Sequence, residues 1–365
     1  MKLKFMFAAT IFAALTGASS AEDINVALAG PITGQYAAFG EQLRIGAQEA
    51  VKDINAAGGV LGRQLKLVVE DDACDPKQAV SVANHVVAEG AAVMIGHFCS
   101  GSTIPASEVY AENNLLEITV SSNPAVTDRG LAQIFRIIGG DDQQAIVAAD
   151  FLGKKFLKAR FAVVNDKSTY GQGLADLVSA KLENGGADVV VKESVNPGEK
   201  DYSTLITRLK AANVEVLYYG GYHSEAGLIK RQAGDAGLKM QLVGGDALGT
   251  SEFAAIVGAT GNDTLFTFPA DPSASPAAKA IVERLRANNI NAEGYTLYAY
   301  ASVQAFAEGV KAGKSVKTDD VAKVLRSEGV DTIIGHVKFD AKGNIDAPGF
   351  VMNAWDGSNY KPAIN

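Results

Sequence analysis

Ile24-Asn-Val-Ala-Leu-Ala29, Glu41–Asn55, Leu65-Lys-Leu-Val-Val69 and Pro76–Val87 are the four consecutive stretches on which the fold turns. The first and third are short, apolar and rich in β-branched residues, as buried strands are. The second sets Leu43, Ala47, Ala50, Val51 and Ile54 at helical spacing and ends in Asn55-Ala-Ala-Gly-Gly59. The fourth opens on Pro76, whose missing N–H costs nothing in a first helical turn. Strand, helix, strand and helix in this order predict a parallel sheet covered on both faces. Working outward, Val93-Met-Ile95, Ile104–Glu112 and Leu115–Thr119 continue the alternation.

The rhythm restarts after Gly139-Gly140. Phe161–Asn165, Asp188–Val191, Val214–Tyr219, Gln241–Val243 and Thr264–Phe268 read as strands, with helices near 142–155, 171–183, 203–211, 224–235 and 251–257. So many strands predict two doubly wound α/β lobes rather than one sheet. Helical patterns at 277–289, 295–311 and 318–327 and strand patterns at 333–339 and 350–355 then complete the two lobes. The lobes are therefore discontinuous, and several short crossings between rigid bodies predict a hinge.

Composition narrows the function. Of 365 residues, 47% are hydrophobic and 20% charged, which excludes a disordered acidic chain. A formal net charge of -8 without a Lys/Arg block argues against a nucleic-acid partner or an anionic membrane surface. Lys2 and Lys4, the apolar stretch Phe5–Leu15 and the small residues Thr16–Ala21 form an export signal, with cleavage expected after Ala21. Residues 1–21 are thus read as a signal peptide, and the remainder as an exported, soluble protein. In that oxidising setting the two cysteines, Cys74 and Cys99, each following a predicted strand, are expected to pair.

In open parallel sheets, ligands bind beyond the carboxyl ends of the strands. Four such segments carry chemistry. Gly96-His-Phe-Cys-Ser-Gly-Ser-Thr103 leads hydroxyls into a helix start, which suits a carboxylate. Thr119-Val-Ser-Ser-Asn-Pro124 is a second small polar turn. Asp166–Gly173 brings Tyr170, and Tyr218-Tyr-Gly-Gly-Tyr-His223 is dense in aromatics. Asp246, after Leu242-Val-Gly-Gly245, is the acceptor placed for an ammonium. Each segment alone has a plainer reading as helix caps and packing residues; their joint position describes a pocket with an anion end and an apolar wall. No Gly-x-Ser-x-Gly, Walker or His-Glu-x-x-His motif occurs, and His85, His97, His223 and His336 are too dispersed for a metal cluster. No cofactor or enzymatic activity is expected, with His97 and His223 read as structural.

From Glu22 to its end the chain resembles the branched-chain amino-acid (leucine/isoleucine/valine)-binding family of type I periplasmic binding proteins. The resemblance rests on Asp71-Asp-Ala-Cys-Asp-Pro-Lys-Gln-Ala79, Gly96–Ser100, Ile104-Pro-Ala-Ser107, Asp166-Lys…Tyr170-Gly171 and Tyr218–His223. It implies two Rossmann-like lobes joined by three crossings, here 22–141 with 271–347 and 142–270 with 348–365. It further implies that Ser100 binds the ligand carboxylate, aided by Ser121, Ser122 and Asn123. The ammonium would fall to Asp246 and an acceptor in the same turn. Phe39, Phe98, Tyr170, Tyr222 and Tyr295 would surround the ligand, and Cys74–Cys99 would be the family's disulfide. The partners implied are a free amino acid and the membrane permease of an ATP-driven importer, with the binding protein a monomer.

The sequence also departs from the leucine-type pattern. Asp246 stands where those members carry glutamate, Phe98 where they carry leucine, and Ser121-Ser-Asn123 where they carry Ala-Ala-Thr. A bulkier Phe98 and a shorter Asp246 suit a small or differently spaced ligand such as alanine, proline or 4-aminobutyrate. Branched-chain amino acids and these smaller ligands therefore both stand as substrate classes, and a soluble amino-acid sensor as a second role.

Overall fold

The computed structural model describes residues 22–347 and 349–364. The expected signal peptide lies outside them. The first sheet comprises β1 (Ile24–Gly30), β2 (Leu65–Asp71), β3 (Val93–Gly96), β4 (Leu116–Thr119) and β5 (Ile134–Arg136), all parallel, in the order β2-β1-β3-β4-β5. The second contains β6 (Arg160–Asn165), β7 (Asp188–Ser194), β8 (Val216–Gly220), β9 (Gln241–Gly244) and β10 (Leu265–Pro269). After a separate hairpin, β11 (Val330–Thr332) with β12 (Gly335–Val337), the chain adds β13 (Phe350–Asp356) and β14 (Asn359–Pro362) antiparallel to the second sheet's edge. That sheet runs β14-β13-β10-β9-β8-β6-β7. Its parallel part repeats the first sheet's winding, so each sheet has a reversal of strand order, at β1/β3 and at β6/β8.

The helices covering the sheets are α1 (Ala37–Ala56), α2 (Pro76–Ala88), α3 (Ser100–Glu112), the short α4 (Ala125–Asp128), α5 (Asp141–Phe156), α6 (Thr169–Asn184), α7 (Ser203–Ala211), α8 (His223–Asp235), α9 (Ser251–Val257), α10 (Lys279–Ala287), α11 (Thr296–Gly313) and α12 (Thr318–Ser327). Asp75 caps α2, accepting hydrogen bonds from the backbone of Lys77 and Gln78 with Pro76 in the first turn. Ser168 caps α6 through Gly171 N–H. Although α11 follows the second sheet's parallel strands, it lies along α1 against the first. Gly46 on α1 permits this: a Cβ there would strike the carbonyl oxygen of Thr296. None of the helices in the described residues is long and apolar enough to cross a membrane.

The structure departs from the sequence reading at the run 333–339 and at β5, β14 and the short α4, which that reading lacks. The run 333–339 is not one strand; Ile333 and Ile334 form the turn between β11 and β12, where Gly335 takes a φ of +106°. β5 went unread because Ile134-Phe-Arg136 is only one short apolar run followed by a charge.

Candidate functional site

The site is assembled from the segments just beyond the strands. After β3, the buried Ser100 begins α3, and its Oγ accepts the backbone N–H of Asn123 at 3.4 Å. After β4, the Ser121 hydroxyl is held by Thr103 Oγ1 and donates to the carbonyl of Phe98 at 2.8 Å. The carbonyls of Ser122 and Asn123 accept from Arg136 Nη1 at 2.9 and 3.0 Å, which fixes the turn from behind. Asn123 Nδ2 donates to the carbonyl of Thr169 at 3.0 Å, joining the first sheet's loops to α6 of the second. The two halves of the cleft are thus in contact.

Opposite this turn sits Asp246, only 3% exposed. Tyr170 donates to its Oδ1 at 2.7 Å, Gln144 Nε2 to the same oxygen at 3.1 Å, and Tyr295 to Oδ2 at 2.5 Å. The Gln144 amide oxygen accepts the Asp246 N–H at 2.8 Å and the Thr267 hydroxyl at 2.6 Å. Burial raises the carboxyl above its ordinary range, while the Tyr295, Tyr170 and Gln144 donors pull it back. Burial also drives Tyr170, Tyr222 and Tyr295 well above ordinary phenol values, so these phenols stay neutral donors. Gly245 is required beside this carboxylate, because a Cβ there would strike the Tyr170 hydroxyl.

Between the two ends lies an aromatic wall. Phe98 stacks on Phe39 with centroids 4.3 Å apart and meets Tyr295 edge-on at 5.2 Å. Tyr222 lies 5.3 Å from Tyr170 and 6.2 Å from Phe98. Every residue singled out for the pocket therefore belongs to one connected set. Tyr295, at the entrance of α11, is positioned by its backbone N–H donating to Gln42 of α1 at 3.0 Å.

The disulfide between Cys74 and Cys99 is formed, with Cα atoms 5.5 Å apart, and it ends directly before Ser100. His97 is fully buried, with Nδ1 2.6 Å from Asp72 and Nε2 2.8 Å from Tyr110, a structural wiring. His223 stands 2.8 Å from Glu252 and presents its ring edge to Phe39. Four contributors escaped the sequence reading: Tyr36, 4.3 Å from Tyr222 between ring centroids, and the polar group Arg136, Asp141 and Gln144. A signal for Asp141 was present, since Gly139-Gly-Asp141 repeats Gly244-Gly-Asp246.

Two doubly wound sheets, with the Ser100 and Ser121–Asn123 segments beyond β3 and β4 of the first and Asp246 beyond β9 of the second, give the bilobed architecture of a binding protein. The chain belongs to the periplasmic binding protein family, whose model matches residues 23–358. It is 44% identical over 357 residues to Leu/Ile/Val-binding protein homolog 1 of Brucella melitensis, covering 97% of this chain and 96% of that one. An amino acid binding protein of Pseudomonas aeruginosa is 45% identical over 338 residues, 92% of this chain and 90% of its own. Among solved structures, the branched-chain amino acid transporter substrate binding protein of Streptococcus pneumoniae in complex with isoleucine superposes with a TM-score of 0.84 at 25% identity, covering 93% and 98% of the two chains. Members of this family bind substrates for transporters and are not enzymes.

Proposed function

We propose that this protein captures a free amino acid between its two lobes and delivers it to the membrane permease of an ATP-driven importer. The observation that carries this reading is the buried Asp246, ringed by Tyr170, Tyr295 and Gln144 and facing the Ser100 and Ser121–Asn123 turn. An amino acid carries the two complementary charges on one small skeleton. The names of the relatives from Brucella melitensis and Pseudomonas aeruginosa support the same ligand class. Export with cleavage after Ala21, a periplasmic location, a monomeric state and hinge crossings near residues 141, 270 and 348 complete the reading. Export and location draw support from the signal-like start of the sequence, and the crossings from the passage of the chain between its two sheets.

Aliphatic and branched-chain amino acids are the leading ligands. A second class, alanine, proline or 4-aminobutyrate, is favoured by Phe98, which with Phe39 and Tyr295 fills space beside the cation end. The experiment is mass spectrometry of the ligand released by denaturing protein purified without added amino acids. Recovery of an amino acid supports the reading. Recovery of a ligand lacking an ammonium group, or binding of no amino acid in titration, overturns it.

A further inference from the structure

Asp246 is not the only carboxylate at the cation end. Asp141, the first residue of α5, is fully buried, and its backbone N–H donates to the carbonyl of Ser122 at 2.8 Å. The single side-chain amide of Gln144 bridges the two acids, giving one N–H to Asp141 Oδ1 at 2.8 Å and the other to Asp246 Oδ1 at 3.1 Å. An ionised carboxylate accepts about four hydrogen bonds. Asp246 already takes three, from Tyr170, Gln144 and Tyr295. Asp141 takes one on Oδ1, and its Oδ2 has no hydrogen-bond partner among the described residues. An ammonium brings three N–H donors, or two when the nitrogen is secondary, and the open acceptor capacity for them is mostly on Asp141.

We propose that the ligand's ammonium is held by a carboxylate pair, Asp141 together with Asp246, and that Asp141 restricts the site to primary and secondary ammonium ligands. The inference rests on the amino-acid reading above. The charges around the pair fit it. Among the described residues Arg136 on β5 is the buried cation facing Asp141, and its Nη1 is committed to the Ser122 and Asn123 carbonyls. Asp142 on α5, Asp128 and Asp340 also act on that guanidinium. The other groups facing the pair are the Ser122 hydroxyl and the neutral phenols Tyr170, Tyr218, Tyr222 and Tyr295. Two acids buried beside one cation cannot both ionise without a further positive charge. The ligand-free pair therefore keeps one proton, which burial and the Asp246 charge place on Asp141. The arriving ammonium takes that proton's place, and the proton leaves to solvent.

The test is titration calorimetry at pH 7 with leucine, proline, 4-aminobutyrate and the quaternary ligand glycine betaine, each in phosphate and in Tris buffer. These buffers differ in ionisation enthalpy and so count protons released. Wild-type protein is expected to release up to about one proton per amino acid bound and to reject betaine. Asp141→Asn should abolish the release and weaken binding by roughly 30-fold or more, as truncating a buried charge pair does. Asp150→Asn, at an exposed position farther along α5, should change neither. Wild-type affinity in Asp141→Asn, tight betaine binding, or amino-acid binding without proton release overturns the pair. Should Asp141→Asn show no cooperative melt, the wild-type proton count decides. A wild-type protein that binds none of the amino acids overturns the amino-acid reading itself, whereas tight binding indifferent to Asp141 removes only the pair.

Discussion

The hydroxyl of Tyr295 meets Oδ2 of Asp246 at 2.5 Å, although the two residues belong to opposite sides of the cleft. Tyr295 leads into α11, which lies on α1 beside the first sheet; Asp246 follows β9 of the second. A phenol from one lobe thus seats itself on the acid of the other.

Replacing Asp246 by Asn keeps its shape and removes its charge. Ligand affinity should fall by about 2–5 kcal/mol, roughly 30-fold to several thousand-fold in dissociation constant. Calorimetric titration with leucine, valine, alanine, proline and 4-aminobutyrate measures it, and unchanged affinity would take Asp246 out of the site.

Tyr295→Phe deletes only the hydrogen bond across the cleft. Loss of a bond to a charged group should cost about 1.5–3 kcal/mol of affinity, with the ligand-free melting temperature little altered. A loss of stability equal to the loss of affinity would assign the phenol to folding instead.

The lobes also touch where Asn123 faces α6. A Cβ on Gly173 would stand 2.6 Å from Asn123 Nδ2. Gly173→Ala should therefore hold the cleft ajar, at a cost of about 1–3 kcal/mol, or roughly five- to a hundred-fold in affinity. Small-angle scattering at ligand saturation should give a larger radius of gyration than for wild type; identical radii would refute the obstruction.

Mature protein isolated without reductant should show no titratable thiol after unfolding, because Cys74 and Cys99 are bridged. Cys74→Ser with Cys99→Ser should lower unfolding stability by about 3 kcal/mol in the chain-entropy account. Because the bridge ends beside Ser100, affinity should weaken as well, and a variant with normal affinity would separate the bridge from the site.

Burial pushes the Asp166 carboxyl up to about 6. Its value in an unfolded chain is about 3.9, so between these values the folded protein holds a proton that the unfolded chain has lost. Stability contributed by this residue must therefore fall as pH rises through that window, by up to about 3 kcal/mol. Urea unfolding at pH 4 and pH 7 should show a smaller difference for Asp166→Asn than for wild type. Equal differences would disprove the burial effect.

How much of this could be read from the chain depends on where each residue sits. Ser100, the Ser121–Asn123 turn, Tyr170, Tyr222 and Asp246 all come directly after strands, and strands were legible from their short apolar runs. Phe39 and Tyr295 obey no such local rule. They came into view only through family resemblance, because the approach of α11 to α1 at Gly46 is a tertiary event. Asp141 looked like an ordinary acidic first-turn residue of a helix, where the helix dipole alone explains a carboxylate. Its burial beside Asp246, and the Gly-Gly-Asp repeat the two acids share, set it apart. The hairpin around Ile333 was misread because an apolar run does not reveal that Gly335 turns the backbone.

The reach of Tyr295 back to Asp246, and of β13 back to β10, also sets an order of events in biosynthesis. A chain emerging amino end first, from a ribosome or an export channel, has its Ser121–Asn123 turn after about a third of its length and Asp246 after about two thirds. The phenol that closes on that acid comes far later, and the antiparallel edge of the second sheet later still. No partial chain carries a finished pocket, so the protein is empty-handed until nearly all of it has been delivered.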